Sequence, residues 1–97
     1  MDVRFRDEAL DQLEVTPGDG GYPPGVVKQF RKRLALIRAA ADERDFYALK
    51  SLHYEKLKGN RQHQRSMRLN DSLRLILELE EDGPNRVVIV VSIEDYH

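Results

Sequence analysis

A run of five β-branched apolar residues near the end of the chain most constrains its fold. Residues 87–91 read Val-Val-Ile-Val-Val, and β-branched side chains favour strands. A strand with one face in water alternates apolar and polar residues, whereas this run is apolar on both faces. Residues 87–93 therefore predict an interior strand of a sheet whose two faces are both covered.

Two alternating segments precede this strand and predict a hairpin. Residues 73–79 carry leucine at every second position, and residues 65–69 alternate in the same way. A three-residue turn at 70–72 sets Met67 against Leu75. Because this pairing matches the apolar faces of both strands, it determines the register of the hairpin.

The same register places Arg68 directly opposite Arg74 on the other face of the hairpin. Like charges that face each other across a strand pair are destabilising. Two such guanidinium groups either extend into water or bind an anion together. Five further cations between residues 50 and 65 favour the anion.

The first half of the chain predicts helices. Residues 3–6 alternate as a short strand, residues 8–15 are consistent with an added short helix, and the Gly- and Pro-rich residues 16–25 predict a loop. Apolar residues recur at three- and four-residue spacing over residues 26–41, and an aspartate pair begins a second helical pattern over residues 42–52. The predicted fold is a single α+β domain over residues 1–97, a small antiparallel sheet with two N-terminal helices packed on one face.

Composition excludes several classes of protein. The 97 residues fit one domain, the absence of cysteine excludes disulfides and thiolate metal sites, and three scattered histidines predict no metal site. No apolar run approaches the ~20 residues that a transmembrane helix needs, and no signal-peptide pattern begins the chain. We expect a cytoplasmic protein without membrane contact or cofactor.

The net charge of −1 conceals a strong segregation of charge. Seven cations lie between Lys50 and Arg74 against two acids, and residues 28–38 hold a second basic stretch without acids. Such clusters attract phosphates. The candidate RNA-binding residues are Lys28, Arg31, Lys32, Lys56, Arg61 and Arg65.

The chain ends in Asp95, Tyr96 and His97, directly after the apolar strand. Cleavage of RNA needs a base for the 2′-hydroxyl proton, cations for the charge that grows on the phosphate, and an acid for the leaving 5′-oxygen. The sequence offers cations in the middle of the chain and an imidazole and a carboxylate at its end. Which group acts as the base stays open at this point. The candidate catalytic residues are Lys58, Arg68, Arg74, Asp95, Tyr96 and His97.

Four motifs together resemble one known family. They are Leu57-Lys-Gly59, the Ser-x-Arg-x-Asn-Asp pattern of residues 66–71, Arg74, and the terminal Asp-Tyr-His. The combination resembles the HigB-type ("host inhibition of growth") toxins of the RelE/ParE superfamily. The resemblance implies the RelE-like order β-α-α-β-β-β. At Glu55 several relatives carry histidine, so one acid–base group of the family is absent here.

The resemblance also implies an activity and partners. It predicts a bacterial toxin of a type II toxin–antitoxin system that enters the A site of the 70S ribosome and cleaves mRNA without a metal. A HigA-type helix-turn-helix antitoxin would neutralise it, and operator DNA would be bound only through the antitoxin complex. Two alternatives share the fold, a ParE-like inhibitor of DNA gyrase and a non-catalytic RNA-binding relative.

Overall fold

A mixed five-stranded sheet forms the frame of the structure, a computed structural model that describes residues 1–95. Its strand order is β1-β5-β4-β3-β2, with β1 parallel to β5 and the other pairs antiparallel. The elements in chain order are β1 Asp2–Phe5, α1 Glu8–Val15, α2 Val26–Ala39, α3 Arg44–Ala48, β2 Glu55–Lys56, β3 Gln64–Arg68, β4 Leu73–Asp82 and β5 Asn85–Asp95, with short 3-10 turns at Lys50–Leu52 and Gly59–Arg61.

The predicted position of the apolar strand is confirmed. Strand β5 lies between β1 and β4, and Val87, Val88 and Val90 are fully buried. The hairpin register is confirmed as well, since Met67 pairs with Leu75 and Arg68 with Arg74. Matching apolar faces is therefore sufficient to determine this register.

The α+β class is confirmed, with α1 and α2 on one face of the sheet. The buried side of α2 presents Val26, Val27, Phe30, Leu34 and Ile37. These side chains share one core with leucines of α1 and with the inward residues of β3, β4 and β5. Within residues 1–95, none of the helices combines the length and the apolar character needed to cross a lipid bilayer.

The predicted single helix over residues 42–52 is wrong. Helix α3 ends at Ala48, Leu49 is extended, and a 3-10 turn follows. Phe46 and Leu52 are both buried while Leu49 is 44% exposed. At ~100° per residue, a continuous helix would place Phe46 and Leu52 about 120° apart. The break after Ala48 therefore allows both side chains to enter the core.

Two features of the sheet differ from the prediction. Strand β1 pairs with β5 in parallel, and alternation along a strand carries no information on the direction of its neighbour. Strand β2 contains two residues, which is too short for a recognisable alternation. It nevertheless extends the sheet beyond β3 and positions Glu55.

The sheet face opposite α1 and α2, which we call the polar face, is covered by charged side chains. Arg74, Ile76 and Glu78 of β4 lie on it and are 6%, 3% and 8% exposed. Arg6 donates two hydrogen bonds to Glu78, at 3.0 and 2.7 Å. Charged side chains that pair with one another thus lie on this face, and the candidate site lies at its end.

Candidate active site

Arg74 is the central cation of the polar face. Its side chain is 8% exposed, although an arginine is rarely buried without partners. One terminal nitrogen donates to Ser66 Oγ at 3.0 Å, to Glu55 Oε1 at 3.0 Å and to the His53 carbonyl oxygen at 3.2 Å. Residues from the preceding loop, β2 and β3 thus hold the guanidinium in one orientation.

Arg68 faces Arg74 across the hairpin and has a different carboxylate partner. Its guanidinium forms an ion pair with Asp71 in the following turn, and its Nε donates to the Asn70 carbonyl oxygen at 3.3 Å. Separate carboxylates on the two arginines compensate for the like-charge pairing that the register imposes. The Asp71 side chain is 92% exposed, so this ion pair is worth little and an incoming anion can replace it.

A cleft of about 290 Å³ opens between the two arginines. Its lining consists of His53, Arg68, Asn70, Asp71 and Arg74. Two guanidinium groups on one cleft present a set of planar donors suited to a phosphate. The structure therefore brings together two of the predicted catalytic residues, Arg68 and Arg74.

Arg33 is a cation of this region that the sequence prediction missed. Its Nε donates to the Arg68 carbonyl oxygen at 3.0 Å. Burial, and then the charge of Arg68, lower the pKa of the Arg33 guanidinium. A usable signal exists in the sequence, because Arg33 lies three residues after Phe30 and four before Ile37, on the buried side of α2.

Glu55 is the second missed residue. Its side chain is 50% exposed and its Oε1 lies 3.0 Å from Arg74. A carboxylate held against a buried cation that lines the cleft is a candidate proton acceptor. The only signal for it is the family resemblance, since several relatives carry histidine at this position. The periodicity of the chain gives none, because the two-residue strand β2 takes its place only through pairing with β3.

Two other predicted catalytic residues, Lys58 and Asp95, are described by the structure and are not among the residues that line this cleft. Lys58 is exposed in the loop between β2 and β3, and Asp95 is exposed at the end of β5, opposite Leu73. The residue before it, Glu94, pairs in register with Arg74. The end of β5 is therefore beside the cleft. Tyr96 and His97 lie outside the described residues.

The predicted RNA-binding cations fall into two groups. Lys28, Lys32 and Lys56 are exposed. The three arginines instead contact protein groups. Arg31 donates to a carbonyl oxygen at the end of α1, and Arg61 donates to the carboxylate of Glu94. Arg65 lies 3.4 Å from the carboxylate of Glu43, on the helix side of the sheet. The basic patches of the sequence thus contain both solvent-facing lysines and arginines that connect elements of the fold.

Replacement of Arg31 by alanine tests this division. The Arg31 guanidinium donates to the Leu13 carbonyl oxygen at 3.2 and 3.3 Å and to the Thr16 carbonyl oxygen at 2.7 Å. Since these carbonyls end α1, we expect Arg31→Ala to lower the free energy of unfolding by about 1–2 kcal/mol in urea titrations. The exposed neighbour Lys32→Ala is the control and should change it by less than about 0.5 kcal/mol. Unchanged stability with weaker RNA binding would instead show that Arg31 contacts RNA.

In the described part of the chain, no cluster of three His, Cys, Asp or Glu side chains is placed to hold a metal ion.

Comparison with known proteins assigns the chain to a family. The family model for the RelE-like toxin of the type II toxin–antitoxin system HigB matches residues 3–97. The chain belongs to the HigB-like toxin family. The resemblance drawn from the sequence motifs is thereby confirmed, and this HigB-like protein is a toxin of a type II toxin–antitoxin system.

Solved structures support the fold of this HigB-like toxin. The YoeB/ParE toxin from Agrobacterium tumefaciens superposes with a TM-score of 0.60 at 16% identity, covering 100% of both chains. YafQ from E. coli strain BL21(DE3) gives 0.61 at 9% identity, covering 97% of this chain and 91% of that one. The YoeB–YefM complex from Staphylococcus aureus gives 0.60 at 20% identity, covering 100% and 97%. Comparison with curated proteins yields no match.

Proposed function

We propose that this HigB-like toxin is a metal-independent endoribonuclease that cleaves mRNA in the ribosomal A site and so arrests translation. The observation that carries the proposal is the cleft between Arg68 and Arg74, with the Glu55 carboxylate 3.0 Å from Arg74. Cations for a phosphate and a carboxylate for a proton are two of the three requirements of RNA cleavage. The third requirement is an acid for the leaving 5′-oxygen, and we assign it to His97, which the sequence predicts as a catalytic residue.

The chemistry can be assigned to groups of the chain. Glu55 accepts the proton of the 2′-hydroxyl while that oxygen attacks the phosphorus, forming a 2′,3′-cyclic phosphate. The bond from phosphorus to the 5′-oxygen breaks, and His97 donates a proton to that oxygen. Arg74 neutralises the charge that develops on the phosphoryl oxygens, which its fixed orientation favours because little reorganisation is needed.

The remaining candidates assist binding. Arg68 and Lys58 add positive charge for the mRNA phosphates, Tyr96 stacks on a base, and Asp95 orients a neighbouring group. The solvent-facing cations Lys28, Lys32 and Lys56 suit ribosomal RNA, whose phosphates attract exposed lysines. This activity requires a cytoplasmic protein.

An antitoxin partner follows from the family. The S. aureus neighbour was solved as a YoeB–YefM complex, and we propose that a HigA-type helix-turn-helix antitoxin binds this toxin. To neutralise it, the antitoxin covers or distorts a cationic cleft, so acidic complementarity is expected. Operator DNA is bound through that complex.

Primer extension on mRNA in a translating extract tests the proposed function. We expect discrete breaks that require ribosomes and that disappear in the Arg74→Ala and His97→Ala variants. Breaks in naked mRNA would contradict ribosome dependence. Intact mRNA together with inhibited DNA supercoiling would favour a ParE-like gyrase inhibitor, and intact mRNA that is nevertheless bound would favour a non-catalytic relative.

A further inference from the structure

A continuous series of hydrogen bonds crosses the polar face from β5 to the end of β1. Ser92 Oγ donates to Glu94 at 2.7 Å, and Arg61 donates to both Glu94 carboxylate oxygens at 2.9 Å. The Arg61 Nε donates to Gln64 Oε1 at 2.8 Å. Gln64 in turn donates to Glu78 at 2.9 Å, and Arg6 also donates to that carboxylate.

Arg61 is the link of this series that joins distant elements. It belongs to the loop of residues 58–63, whose base is closed by a hydrogen bond from the Leu57 amide to the Gln64 carbonyl oxygen at 3.1 Å. Its carboxylate partner is on β5, and β3 and β4 lie between that strand and β2. The Arg61 side chain therefore spans β4 and attaches the loop to the far strand.

The two ends of this bridge belong to the segments that carry Lys58 and Asp95. Lys58 lies three residues before Arg61 in the same loop, and Asp95 follows Glu94 directly. Glu94 is the register partner of Arg74, yet its carboxylate binds Arg61 and Ser92. The hydrogen bonds from Arg61 and then Ser92 lower the pKa of the Glu94 carboxyl, so the group is charged at neutral pH.

We propose that the Arg61–Glu94 ion pair is a positioning device for the toxin's reaction, holding the Lys58 loop and the end of β5 in a set arrangement around Arg74. This inference rests on the proposed nuclease function. Arg61 acts through Lys58 and Asp95 and is a positioning residue, although the sequence predicts direct contact with RNA.

The exposure of the pair indicates why positioning and not stability is its main effect. The Arg61 and Glu94 side chains are 42% and 37% exposed, and ion pairs with this much solvent contact contribute little to the free energy of unfolding. A displacement of about 1 Å in a catalytic group, in contrast, can cost about 100-fold in rate. The two effects can be separated by experiment.

Charge reversal is the test. Arg61→Glu and Glu94→Arg are made singly and together, and single-turnover cleavage of mRNA on programmed ribosomes is measured with amide hydrogen exchange over residues 58–63. We expect each single variant to lower the cleavage rate at saturating toxin by about 10–100-fold, with a change below about 3-fold in the toxin concentration that gives half-maximal rate. Amide exchange in the loop should become faster. The double variant should restore exchange and most of the rate.

Arg38 and Glu14 supply a matched control on the helix side of the molecule. This pair is also bidentate, at 2.6 and 3.3 Å, and partly exposed. Its reversal should leave the cleavage rate within about 2-fold, because the ion pair contributes little to stability and is remote from the cleft.

The outcomes are distinct. A higher half-maximal concentration for Arg61→Glu that the double variant does not reverse would show direct RNA binding and overturn the positioning role. Faster loop exchange without loss of cleavage would also overturn it. If the wild type leaves mRNA intact, the proposed function fails, and growth arrest on expression becomes the readout. Growth arrest that is lost in the single variants and restored in the double variant would still support the positioning role. Growth arrest that is unchanged in the single variants would overturn it.

Discussion

Arg74→Lys is expected to lower single-turnover cleavage of ribosome-bound mRNA by at least about 100-fold. Lysine retains the charge and most of the stem but lacks the planar set of donors. It cannot reproduce the three contacts that one guanidinium nitrogen makes with Ser66, Glu55 and the His53 carbonyl. The charge would then lie in a different place from the phosphoryl oxygens that it has to neutralise.

Arg44→Lys is the control for this prediction, because the Arg44 side chain is 91% exposed and pairs with Asp42. It should cleave at the wild-type rate. Circular dichroism and thermal unfolding separate a lost activity from a lost fold, and Arg74→Gln provides a second variant of similar size. Wild-type cleavage by a folded Arg74→Lys protein would remove Arg74 from the proposed mechanism.

Phe30→Ala is expected to lower the free energy of unfolding by about 3–5 kcal/mol. The Phe30 side chain is fully buried on α2, within the single core that joins both helices to the sheet. Its removal leaves a cavity in addition to the lost transfer free energy. Because domains of this size have a total stability of only about 5–15 kcal/mol, the melting temperature should fall by roughly 10 °C or more.

Urea unfolding measures this change, and Val15→Ala provides the comparison. Val15 is 71% exposed at the end of α1, so its truncation should change the free energy of unfolding by less than about 0.5 kcal/mol. Equal effects of the two substitutions would contradict the assignment of α2 to the core. The prediction concerns the fold alone and holds whatever the toxin's target is.

The parts of the fold that were predicted from the sequence depend on local periodicity. The interior position of β5 follows from five consecutive apolar residues, and the β3–β4 register follows from matching Met67 to Leu75. The single helix over residues 42–52 failed for a non-local reason. Its apolar residues have helical spacing, but burial of both Phe46 and Leu52 requires the chain to turn at Leu49.

The candidate site was predicted only in part, because only some of its features depend on local periodicity. Arg68 lies opposite Arg74 because of the hairpin register, and the apolar pattern of the sequence predicts that register. The contact between Arg74 and Glu55 requires β2 to pair with β3, and the contact between Arg33 and Arg68 requires α2 to lie against the hairpin. The spacing of Arg33 from Phe30 and Ile37 indicates its place on the buried side of α2. The partner in each contact has no spacing signature, since residues that are distant in sequence meet only when the sheet and helices pack.

By itself, the sequence determined the class of the fold, the hairpin register and the family, because apolar periodicity and short motifs are properties of neighbouring residues. Only the tertiary structure decided which partner each charged side chain has. Arg31 and Arg61 belong to basic stretches that suggest RNA binding, yet one binds the carbonyls that end α1 and the other binds Glu94 across the sheet. Coulombic attraction and hydrogen bonding depend on distance in space, and strand order and helix packing set that distance.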